Sequence, residues 1–181
     1  MKVWRITTKH AQLTDVTTPH SNTIRVISAM TLTSDATNIE YTGLDLDSVK
    51  NYFLTMNVTN GNASSQPLMH IYFNDDTTDT NYYTQSVFAS STSVSSDRYN
   101  ASYLNVSGIR VGMSGMFFAK IGRVAKPFVV CESALNSGTY LQFNDTRVVW
   151  QTGNNVTKIT LHSDQVNGFG SGSKLVLYEY T

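Results

Sequence analysis

The sequence predicts an all-β chain folded as an antiparallel β-sandwich of jelly-roll type. Three observations carry that expectation. β-Branched and aromatic residues are abundant, with 23 Thr, 10 Tyr and 8 Phe, and these side chains pack well on a pleated surface. Short apolar runs are separated by clusters of Ser, Asn, Asp and Gly, which favour turns. Several runs alternate with a period of two, as a strand with one buried face must.

Along the chain, strands are expected over residues 3–7, 23–33, 38–43, 51–59, 67–74, 116–124, 127–133, 139–144, 147–151, 156–163 and 174–180. In the fourth, Tyr52, Leu54, Met56 and Val58 share one face, with Thr55, Asn57 and Thr59 opposite. Met69, Ile71 and Phe73 share a face in the fifth. Ile159 and Leu161 alternate with Lys158, Thr160 and His162, and Leu175, Leu177 and Glu179 with Val176, Tyr178 and Tyr180. Helical periodicity is weak, with short turns expected at 45–50 and 81–88. Residues 89–105, rich in Ser and Asn, read as a long surface excursion between sheets. About ten short strands with long connections suit two packed sheets, and the lone Cys131 does not support an immunoglobulin-like arrangement. With no fixed-period repeat and no clear linker, residues 1–181 are expected to form one domain, residues 1–22 being an extended N-terminal arm.

Charge narrows the function. Thirteen Lys and Arg balance thirteen Asp and Glu, and charged residues are only 14% of the chain. That distribution lacks the basic footprint of a nucleic-acid binder. No apolar run approaches the roughly 20 residues of a membrane-spanning helix, and residues 1–8 lack the apolar core of a signal peptide. With 23 Thr, 20 Ser and 15 Asn, the surface is expected to be neutral-polar rather than ionic.

Chemical motifs each meet a plainer explanation. The acidic stretch at residues 74–79 could offer oxygens to Ca²⁺. It lacks the central Gly and closing Glu of an EF-hand loop, so a hairpin tip with Asx turns is expected, where Asp76→Ala would matter little for folding. His10, His20, His70 and His162 show no ligand spacing with one another or with Cys131. Cys131, in an apolar run beside Glu132, reads as a small buried hydrophobe. The glycine-rich run at residues 168–173 leads into a strand rather than a helix, so no helix dipole would serve a phosphate. Three glutamates and turn-bound aspartates leave no evident carboxylate pair for glycoside cleavage. Six N-x-S/T sequons, at Asn57, Asn62, Asn100, Asn105, Asn144 and Asn155, read as accidents of a Ser/Thr-rich chain. No catalytic residue, metal or cofactor is therefore expected. Tyr82, Tyr83, Tyr99 and Tyr103 fall in loop-like sequence and are the candidate contacts for a protein interface or a glycan. Their plainer role is to cover the open ends of the sandwich.

Two stretches look familiar. Ile71-Tyr72-Phe73-Asn74-Asp75-Asp76, followed by Asn81-Tyr82-Tyr83, resembles a strand-and-turn signature of small structural proteins of tailed bacteriophages. Trp150, then Ile159-Thr160-Leu161, then Phe169-Gly170-Ser171-Gly172-Ser173-Lys174-Leu175-Val176-Leu177-Tyr178, resembles their C-terminal end. Members usually carry Gly after the Leu-Tyr pair, where this chain has Glu179. The resemblance implies a jelly-roll virion protein on the head surface or in a tail appendage. It carries over no catalytic residues.

The expectation is thus a non-enzymatic virion component, a capsid decoration or cement protein that docks on the major capsid protein or other virion proteins. It would be assembled in the host cytoplasm, with a homotrimer the expected oligomer. The alternative is a tail-fibre or receptor-binding domain recognising host surface carbohydrate.

Overall fold

Alternation decides which side chains go inward. In the computed structural model, which describes residues 23–49, 51–90, 92–102, 109, 113–136 and 141–180, β3 (Asn51–Thr59) buries Tyr52, Leu54, Met56 and Val58 and turns Phe53 and Asn57 outward. The same rule orders β7 (Ser114–Arg123), which buries Phe117, Ala119 and Ile121. It also orders β11 (Lys174–Tyr180), which buries Leu175 and Leu177. Each such aliphatic or aromatic side chain contributes about 1.5–3 kcal/mol on full burial.

These strands belong to an eight-stranded antiparallel sheet. Its other members are β1 (Ile24–Thr31), β5 (Tyr82–Ser90), β6 (Ser93–Tyr99), β8 (Pro127–Asn136) and β9 (Leu141–Trp150), in the order β1-β11-β3-β7-β8-β9-β5-β6. A three-stranded antiparallel sheet, β2-β10-β4, is built from β2 (Asn38–Thr42), β4 (Met69–Phe73) and β10 (Lys158–Ser163). One hydrophobic cluster joins the two sheets, with Ile39, Ile71, Phe73, Ile159 and Leu161 from the small one and Leu54, Phe117, Val129 and Leu177 from the large one. The all-β sandwich is therefore as expected. Its finer connectivity sets eight strands against three, with β7, β8 and β9 following one another as a plain meander.

The short helical turn expected at 45–50 is α1 (Leu46–Val49). The one expected at 81–88 is a correction: a 3-10 turn spans only Asp79–Asn81, and β5 follows it. Tyr82, Thr84 and Ser86 point inward there, and the buried hydroxyls disguise the period in a hydropathy reading. Residues 89–105 are corrected too, because they include β6, hairpin-paired with β5 from Thr84↔Tyr99 to Ser90↔Ser93. β6 is exposed along nearly its whole length, so backbone hydrogen bonds hold it without any apolar stripe. The two strands expected at 139–144 and 147–151 are one continuous strand, β9, in which the turn-like Asn144 is buried and donates from Nδ2 to Ser133 Oγ at 3.2 Å. The expected strand at 3–7 and the arm at 1–22 lie outside the described residues.

Trp150 and Phe73 meet where the sheets close, ring centroids 5.6 Å apart, and both are almost wholly buried. Trp150→Ala and Phe73→Ala should each cost about 3–5 kcal/mol, measured by urea denaturation. A loss below about 1 kcal/mol at both would mean that these faces do not look inward.

Candidate interaction surface

The three-stranded sheet packs on one face of the large sheet. The opposite face carries no second layer among the described residues. Met116, Phe118 and Phe143 lie there about half exposed, at 50%, 52% and 53%. Strand register arranges this face in rows. One row crosses the sheet as Val26, Tyr178, Phe53, Lys120, Val130, Arg147, Gln85 and Arg98. The next runs Val176, Thr55, Phe118, Glu132, Asp145, Val87 and Ser96. A third runs Lys174, Asn57, Met116, Ala134, Phe143, Ala89 and Val94. Shallow grooves run between the rows, one lined by Phe53, Phe118, Lys120, Val130 and Glu132, another by Val87, Ala89, Phe143 and Asp145. The neutral-polar surface expected from composition does not describe this face. Exposed aromatic and aliphatic side chains alternate on it with polar and charged ones.

Charge is ordered here, with Lys174 the one charged residue of the third row. Lys120, Arg147 and Arg98 fall in the first row, Glu132 and Asp145 in the second. Arg147 Nη2 stands 3.4 Å from Asp145 Oδ2, a pair open to water and so of small energetic weight. The other Asp145 oxygen, Oδ1, is buried with no hydrogen-bond partner among the described residues.

The four tyrosines do not form one platform. Tyr82 is fully buried; its hydroxyl donates to Asp76 O at 2.7 Å and accepts from Phe73 N at 3.0 Å. Tyr83, the next residue, is half exposed on the outward face. Tyr99 ends β6 half-buried, and Tyr103 lies outside the described residues.

The acidic stretch spends its oxygens on the protein. Asn74 and Asp75 have φ of 51° and 61°, and Asp76 N donates to Phe73 O at 3.0 Å, which defines a type I′ turn. This turn carries the chain from the small sheet to the large one; it is not the tip of a hairpin. Lys158 Nζ lies 2.8 Å from Asp75 Oδ1 and 3.0 Å from Glu40 Oε1. Asp76 is the hub: its Oδ2 accepts from Trp150 Nε1 and from Asn81 Nδ2, each at 2.7 Å, and its Oδ1 accepts from Thr78 N at 3.0 Å. Burial is the largest influence on this carboxyl and pushes its pKa up, yet the bonds from Trp150, Asn81 and Thr78 outweigh it and hold the group below the ordinary Asp value. The expectation that Asp76 is dispensable for folding is therefore corrected.

Cys131 is buried, and desolvation, with smaller help from Asp145 and Glu132, pushes its thiol up to about 12. A thiol held protonated in this way is no nucleophile. Strand pairing sets His162 opposite His70, with ring centroids 5.9 Å apart and Tyr72 5.8 Å from each. Sequence spacing of 92 positions hides this neighbourhood. Among the described residues no third ligand joins the two histidines. Burial first, then the proximity of His162, lowers His70 to about 4.

Asp76→Ala should cost about 1–3 kcal/mol, because it orphans the indole and amide donors, read as a fall in urea midpoint. Asp76 stabilises above the unfolded carboxyl value of about 3.9, and that contribution disappears as pH falls through the lower folded value. His70 acts at higher pH: its depressed value means stability is fully present above about 6.5 and drains as pH falls toward about 4. His70→Gln should flatten the stability profile between pH 6.5 and pH 4 in denaturation series. Comparison with family models, with curated proteins and with solved structures finds no match for this chain.

Proposed function

We propose that this chain is a non-enzymatic structural component of a bacteriophage virion, a decoration or cement protein of the outer shell. The observation that carries the reading is the uncovered face of the eight-stranded sheet. Exposed Phe118, Phe143 and Met116 on a stiff strand scaffold suit a protein whose surface is completed by other protein chains. The residues that carry the phage resemblance serve packing. Phe73, Asp76, Tyr82 and Trp150 converge in one knot of rings and hydrogen bonds.

On this reading the partners are the major capsid protein and further copies of the chain. Repeated sites on a shell multiply modest contacts through avidity. The carbohydrate alternative loses Tyr82, which the core occupies.

The test is location. Cryo-EM of particles purified from the cells that produce this chain should place it on the head at high copy number. Density at the tail tip, or absence from the particles, would overturn the proposal.

A further inference from the structure

We infer that the outward face of the eight-stranded sheet pairs with the same face of a second copy, giving a two-fold dimer of stacked sheets. The inference rests on the reading of the chain as an assembly component and names the partner of its uncovered face.

Area is the first argument. Eight strands leave seven spacings of ~4.8 Å, a width of ~34 Å. Strands of up to 10 residues reach ~30 Å at ~3.3 Å per residue. A face of at most ~1,000 Å² on each copy, reduced by the twist of the sheet, would bury up to ~2,000 Å² in total, within the range of specific protein interfaces. Two sheets stacked ~10 Å apart can interdigitate such side chains as a sandwich core does.

The pattern of charge is the second argument, and it selects the partner. Lys120, Arg147 and Arg98 form a positive row, and Glu132 and Asp145 a negative row beside it. Consider a two-fold axis that runs across the strands, between these rows. It lays the positive row of each copy over the negative row of the other. Arg147 then faces Asp145 of the second copy, since both stand on β9. Lys120 faces Phe118 of the second copy, with that copy's Glu132 one strand away. A two-fold axis along the strands would instead set the positive row on itself. The face is thus complementary to its own image in one arrangement, as an isologous contact requires.

Sedimentation velocity of the full chain over micromolar concentrations tests this. A dimer is expected. Phe118→Asp should weaken it by about 30-fold or more, with circular dichroism and melting temperature confirming a folded monomer. Arg147→Asp and Asp145→Arg should each weaken the homodimer, and mixing the two variants should restore association as a heterodimer, a rescue that no change within one chain can produce. A monomer throughout the range would overturn the inference. So would a trimer, or any oligomer whose mass these variants leave unchanged. So would a monomer in which Phe118→Cys of the full chain stays unreactive toward a thiol reagent under native conditions, since that result gives the face to another part of the same chain. The two proposals fail separately: a dimer absent from virus particles sinks only the virion reading, and a particle-bound monomer sinks only the dimer.

Discussion

The carboxylate of Asp76 ties together the end of β9, the 3-10 turn and the crossing between the sheets. Between β4 and β5 the chain leaves the small sheet for the large one, and such a crossing has no ladder of its own. Asp76 replaces the ladder. It accepts the Trp150 indole N–H from the end of β9 and the Asn81 amide from the 3-10 turn. Its backbone carbonyl accepts from the Tyr82 hydroxyl, which in turn takes the N–H of Phe73. A buried indole N–H or phenol without a partner would carry a desolvation cost. The network satisfies both, beside rings that lie tilted to one another, Trp150 at 55° and Tyr82 at 36° to Phe73.

The opposite end of the sandwich is held by close backbone approach. Gly170 N donates to Thr59 O at 2.7 Å, and Phe169 bridges to both Ala36 and Asn60. A Cβ on Gly170 would meet Gly61 N and Thr59 O at 2.9 Å, and one on Gly61 would meet Gly170 Cα at 2.7 Å. Glycine is required on both sides because the two segments touch through their main chains. The glycine-rich run that might have suggested a phosphate loop is therefore a packing device, and it delivers the chain into β11 at the register that buries Leu175 and Leu177.

Between these two fastenings, one face of the large sheet is left without a cover among the described residues. Its side chains obey the strand alternation as strictly as the core does, yet alternate positions carry Phe53, Phe118, Met116 and Phe143 where a solvated sheet would carry polar groups. Leaving such an area in water is costly for an isolated chain and is offset once another surface covers it. The adjacent rows of opposite charge limit which surfaces can do so and in what orientation. The stiff scaffold and the outward face are two products of the same alternation.

Local patterning was enough for the fold class and for most of the inward faces. Period-two alternation is local: Tyr52, Leu54, Met56 and Val58 announce a common face wherever the strand ends up, as do Met69, Ile71 and Phe73. Only the tertiary structure decided what lies against each face. Alternation says which residues stand together and not which side is covered, so the outward aromatic rows were indistinguishable from core. β6 was hidden because an edge strand held by backbone bonds needs no apolar pattern, and β5 because Thr84 and Ser86 fill inward positions with hydroxyls. Asp76 looked like a turn residue, and so it is; its partner Trp150 stands 74 positions away, and His162 reaches His70 only through strand pairing. Contacts between residues so far apart in the chain are set by which strands pair, and no local pattern encodes that.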